Sequence, residues 1–93
     1  MKLKVVIVVR GEPNYLRWTL ERWFEEVKGL VEGEYGVAID VRVMDGVEEY
    51  PVIESCGKTY FEGLPGEEGF LIEVIKRIVG DWLEHGEQCY GDR

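Results

Sequence analysis

The chain has 93 residues, and 11 Lys and Arg against 19 Asp and Glu leave a formal net charge of -8. With 45% hydrophobic and 32% charged residues it has the composition of one globular domain, with room for a single modest core and none for two lobes flanking a site. The negative charge opposes phosphate backbones and anionic lipid, so neither nucleic acid nor a membrane is expected as a partner, and no apolar run nears the roughly 20 residues of a membrane span.

Met1-Lys2-Leu3-Lys4 followed by Val5 to Val9 has the basic-then-apolar order of a signal peptide. The apolar run is short, however, and stops at Arg10-Gly11-Glu12 without a small-residue cleavage site, so Leu3 to Val9 is read as a strand of a cytoplasmic protein. Its β-branched residues suit an inner strand buried on both faces. Pro13 fits the first turn of a helix, where a missing N–H costs nothing. Leu16, Leu20, Trp23, Phe24, Val27, Leu30 and Val31 then recur at helical spacing, which predicts a helix from Pro13 to Val31 ended by Gly33 and Gly36. Val37, Ile39, Val41 and Val43 alternate with Ala38, Asp40, Arg42 and Met44, the pattern of an edge strand wet on one face.

After an Asp45-Gly46 turn and a short connector, Pro51 opens a third strand running to Glu54. Ser55-Cys56-Gly57-Lys58 reads as a hairpin turn and Thr59 to Glu62 as the return strand. Gly63-Leu64-Pro65-Gly66 breaks the chain, and Glu67-Glu68 places carboxylates at the positive end of a second helix. Leu71, Val74, Ile75, Ile78, Val79 and Trp82 form its stripe, to His85. The expected fold is α/β, in the order β-α-β-β-β-α, with a four-stranded mixed sheet and two helices on one face. Residues 1–85 make the single domain and 86–93 a flexible tail. Ser55, Asn14 and Gln88 are the sole Ser, Asn and Gln beside abundant Glu, a balance that points to a heat-adapted source, archaeal or otherwise thermophilic.

The stretch Tyr50-Pro51-Val52-Ile53-Glu54-Ser55-Cys56-Gly57-Lys58-Thr59-Tyr60-Phe61-Glu62-Gly63-Leu64-Pro65-Gly66-Glu67-Glu68 resembles the C-terminal half of a thioredoxin-fold protein. That half has a Pro-led strand, a Gly-Lys hairpin, a Gly- and Pro-containing break and an acidic start to the last helix. The whole order, from Leu3 to Leu83, is similar to small thioredoxin-like proteins such as the selenoprotein W group and to a glutaredoxin without its middle helix. Redox members of the family carry a Cys-x-x-Cys between the first strand and the first helix, where the helix N-terminus stabilises a thiolate and a second thiol resolves the mixed disulfide. Here Arg10-Gly11-Glu12-Pro13-Asn14 occupies that place. The resemblance therefore implies a member without the family's dithiol. It also matches Pro51 to the family's strand-leading proline, so the Tyr50–Pro51 bond is expected cis, with a trans proline at a strand edge as the alternative.

Four groups of candidate residues follow. Arg10, Gly11, Asn14, Tyr50 and Pro51 form a candidate binding loop, where helix N–H groups and a guanidinium converge as in an anion site; the simpler alternative is Arg10 paired with Glu12 or Glu49. Tyr15, Trp18 and Arg22 point away from the apolar stripe of the first helix and have interface composition. With both helices on one face, Val6 and Val8 on the other face need cover, either from a second copy pairing by edge or face as a homodimer, or from Tyr60, Arg42 and their neighbours. Cys56 and Cys89 fall at the opposite end of the sheet from Arg10 and Pro51, close enough for an intrachain disulfide; free thiols and an intersubunit or redox role stay open. His85 with Cys56 and Cys89 is too small a set for a metal site, and no cofactor is expected. The functional expectation is a non-catalytic binding or assembly module whose partner is a second copy or another protein; the alternative is a thiol–disulfide oxidoreductase using Cys56 and Cys89.

Overall fold

In the computed structural model, which describes residues 3–85, strand β1 (Lys4–Gly11) alternates strictly: Val5, Ile7 and Val9 are fully buried while Val6, Val8 and Arg10 are half-buried. It is an inner strand as expected, but helices cover one of its faces and the second stays partly open, which corrects the two-sided burial read from its composition. Its β-branched residues fit a pleated strand whose second face is half-buried.

Helix α1 (Tyr15–Tyr35) begins two residues later than the spacing predicts. Asn14 is the cap, its side-chain oxygen accepting from the Arg17 N–H at 3.1 Å, so Pro13 lies just outside the helix rather than in its first turn. Gly33 does not stop it. The penalty for one exposed helical glycine is about 1 kcal/mol, and burial of Val31 with packing of Tyr35 on the core outweighs that. The stop is Gly36, which takes the left-handed conformation (φ 68°) and donates its N–H to the Glu32 carbonyl at 2.9 Å. Leu20, Phe24, Val27 and Val31 form the buried stripe, with Leu16 and Trp23 at its margin. Leu30, roughly 100° round the helix from Val31, is 64% exposed and leaves the predicted stripe.

Strand β2 (Ala38–Asp45) lies at the sheet's edge, parallel to β1 in a register from Lys4↔Ala38 to Gly11↔Asp45. Strands β3 (Val52–Ser55) and β4 (Lys58–Glu62) continue on the other side, giving the order β2-β1-β3-β4 with β3 antiparallel to both neighbours. The turn between them has positive φ at both central residues, Cys56 at 53° and Gly57 at 78°, as a type I′ hairpin requires. Helix α2 (Glu68–His85) buries Leu71, Val74, Ile75, Ile78, Val79 and Trp82, the whole predicted stripe. Both helices pack on Val5, Ile7, Val9 and Ile53.

There is no cis peptide bond among the described residues, so Tyr50–Pro51 is trans. β2 ends and β3 begins at the same end of the sheet because they run in opposite directions. The connector through residues 46–51 only crosses the end of β1, and a trans bond suffices.

Candidate binding surfaces

The loop after β1 and the connector before β3 are bound together by the residues singled out as a binding loop. Asn14 caps α1 and also donates from its amide to the Glu49 carbonyl at 3.0 Å, while the Glu12 N–H donates to the Glu48 carbonyl at 2.9 Å. Gly11 is buried, and a Cβ on it would stand 3.2 Å from the Pro51 Cα, so a side chain there would have to push the two loops apart by a few tenths of an ångström. Tyr50, by contrast, is 60% exposed.

Arg10 does not pair with Glu12 or Glu49. Its Nε donates to Glu48 at 2.9 Å and its Nη1 pairs with Glu54 across the β1/β3 ladder. Two carboxylates on one guanidinium leave poor terrain for an anion, which argues against an anion site at Arg10. Gly46 lies against this pair: a Cβ there would meet the Glu48 carboxylate and stand 2.9 Å from the Arg10 Cγ.

Arg17 is the residue this end was not expected to contain. Its Nη1 donates to the Gly11 carbonyl at 2.8 Å and to Asp45 at 2.7 Å, and its Nε to Glu21 at 3.1 Å, tying the ends of β1 and β2 to α1. The signal was present: Arg17 continues the 3-4 spacing of Leu20, Phe24, Val27 and Val31 by one step towards the N-terminus.

Glu48 is held below the ordinary carboxylate range, first by its own backbone N–H and then by the Arg10 guanidinium. A carboxyl whose pKa is lower when folded stabilises above its unfolded value, near 4.3, and that contribution is lost as pH falls through the folded value. Glu68 works the other way. Its hydrogen bond to Glu26, with desolvation, raises its pKa, so its contribution is present in acid and is lost as pH rises through the raised value. Glu48→Gln should therefore flatten the loss of stability between about pH 5 and pH 3 in denaturant titrations. An acid slope equal to that of the wild type contradicts this assignment.

The second surface lies on α1. Tyr15 is 75% and Trp18 61% exposed, with Arg22 beside them. Trp18 separates two grooves. One, of about 470 Å³, runs along the helix between Tyr15 and Trp23. The other, of about 330 Å³, lies between α1 and the edge strand and is lined by Trp18, Glu21, Arg22, Glu25, Val41 and Val43. Val43 was expected to be covered like Ile39, but burial falls off along β2 from Ile39 to a 43% exposed Val43.

On the sheet face opposite the helices, Val6 and Val8 are half-buried. Arg10 with Glu54 on one side, and Arg42 with Asp40 (3.0 Å) and Lys4 with Asp40 (3.8 Å) on the other, place charged side chains across that face. Tyr60 does not contribute: its hydroxyl donates to Asp81 on α2 at 2.5 Å. The face is thus polar around a small apolar centre, which weakens the case for pairing by face.

Cys56 sits in the hairpin turn, half-buried against the core and far from Arg10. Among the described residues no cysteine is free. Its expected partner Cys89 and the tail 86–93 lie outside the described residues. His85 is the last residue of α2 and exposed. No group of three or more His, Cys, Asp or Glu among the described residues is arranged to hold a metal, and no helix among them is long and apolar enough to cross a membrane.

Compared with protein-family models, curated proteins and solved structures, the chain has no match in any of the three.

Proposed function

We propose that the chain is a thioredoxin-like binding and assembly module of a thermophilic cytoplasm, working without dithiol chemistry and taking a protein as its partner. The observation that carries this reading is Trp18: 61% exposed on a well-capped helix, flanked by two grooves and with Tyr15 and Arg22 beside it. A large aromatic kept out of the core offers contact area to a partner at small entropic cost, and such groups dominate protein interfaces. The strand order and directions support the likeness to thioredoxin-like proteins. The internal bonding of Arg10, Gly11 and Asn14 supports a structural use of the loop in which that family keeps its cysteines.

Two measurements test it. Trp18→Ala should leave stability within about 0.5 kcal/mol of the wild type, because an exposed contact residue does not hold the fold. Reduced wild-type protein and its Cys56→Ser variant should both leave an insulin disulfide substrate at the uncatalysed rate. Cys56-dependent turnover would replace the binding module with the oxidoreductase.

A further inference from the structure

Strand β2 has β1 on one side and an open edge on the other. The Ala38 N–H donates to the Leu3 carbonyl at 2.9 Å, so Ala38, Asp40, Arg42 and Met44 turn their backbone groups towards β1. Ile39, Val41 and Val43 therefore turn theirs outward. The outward N–H of Ile39 is held by the Glu32 carboxylate at 2.7 Å, which blocks the start of the edge and leaves its carbonyl. From Val41 onward the edge lies open, with Trp18 above it, and an open edge of this kind is a template for another strand.

The order of charges selects which strand. Asp40 and Arg42 flank Val41 on the sheet face away from the helices. If two copies pair antiparallel about a two-fold axis through Val41, Arg42 falls opposite the partner's Asp40 and Asp40 opposite the partner's Arg42. The segment is thus its own electrostatic complement. Moving the axis one residue either way sets Arg42 against its own copy or Asp40 against its own copy, which disfavours both adjacent registers. In this register the Val41 N–H meets the partner's Val41 carbonyl, and the Val43 N–H meets the carbonyl that Glu32 leaves open on the partner's Ile39. On the helix side, Val41, Val43 and Trp18 line the groove that the second strand closes.

We propose that β2 is a homodimerisation edge, joined antiparallel through Val41 so that two four-stranded sheets become one. The proposal rests on the reading of the Trp18 side as a contact surface and names its occupant as a second copy of this chain.

Sedimentation equilibrium from about 1 µM to 1 mM should show a reversible dimer. Asp40→Arg alone and Arg42→Asp alone each set like charges opposite each other at two places and should raise the dissociation constant about tenfold or more. An equimolar mixture of those two variants restores opposite charges at both places and should dimerise as the wild type does, as should one chain carrying both substitutions. Hydrogen exchange at the Val41 and Val43 amides should slow as protein concentration rises. A wild type that stays monomeric throughout, single variants that dimerise unchanged, or a mixture no better than its components would overturn the proposal. So would amide protection that appears only when a different protein is added. The insulin assay is independent of these readouts, so failure of the edge dimer and failure of the non-catalytic reading give different results.

Discussion

Replacing Trp82 by Ala should cost about 4 kcal/mol and lower the melting temperature by on the order of 20 °C, the largest single-residue effect expected here. Trp82 is 4% exposed at the base of α2, and its indole N–H donates to the Ser55 hydroxyl at 2.7 Å. That hydroxyl, fully buried, donates in turn to the Val6 carbonyl at 2.6 Å. One oxygen thus joins α2, β3 and β1 inside the core. Ser55→Ala removes little volume but leaves the indole N–H without a partner in a dry site, which should cost about 2 kcal/mol. In a Trp82→Phe background that donor is gone, and Ser55→Ala then breaks only the bond to Val6, costing about 1 kcal/mol. Denaturant unfolding of the four proteins in this cycle checks it; strictly additive costs would show that the two bonds are not one unit.

A Cys56–Cys89 disulfide is one of the cysteine states that the sequence leaves open; if it forms, its loss should cost about 3–4 kcal/mol, from the chain entropy of a loop of about 34 residues. The bond Trp82–Ser55 and the ion pair Lys58–Asp81 (3.6 Å) bring the last turns of α2 beside the hairpin that carries Cys56. Cys89→Ser should lose the full amount, as should Cys56→Ser. Cys56→Gly should recover about 1 kcal/mol of it, because Cys56 holds a positive φ of 53° that costs a side-chain-bearing residue and not glycine. Thermal unfolding with and without reductant, with thiol counting in the native state, reads this out. If Cys89→Ser melts with the wild type, or thiols titrate in the unreduced native protein, there is no such bond.

Much of this fold is local, and local patterns can be read along a chain. The α2 stripe from Leu71 to Trp82, the hairpin at Cys56-Gly57 and the edge position of β2 follow from spacing and turn chemistry, because each depends on neighbours within a few residues. The fold departs from the local pattern where a local preference meets a tertiary one. Gly33 signals a helix end, yet the helix continues because Val31 and Tyr35 are anchored on the core. Val43 has the same pattern as Ile39, yet lies exposed because burial fades along β2.

The candidate sites divide in the same way. Trp18, about 160° round the helix from Leu20, can only face solvent once the stripe is known, so its exposure was legible in the sequence. Arg17 is legible in spacing, although its charge sets it apart from the apolar residues of the stripe. The Arg10–Glu48–Glu54 cluster, the Trp82–Ser55–Val6 node and the Glu32 block on the β2 edge were not legible. Each joins residues from distant parts of the chain, and which carboxylate reaches Arg10 depends on how the 46–51 connector crosses β1.

The same division applies to length, composition and charge. A charge of -8 on 93 residues with one helical stripe per long helix determined a single small α/β domain, because burial of two amphipathic faces on one sheet is the arrangement such a pattern can satisfy. Tertiary structure alone decided that Trp18 stands above the open part of the β2 edge and that Glu32 holds its first outward N–H, because both side chains belong to α1 and reach β2 only once the helix has packed on the sheet.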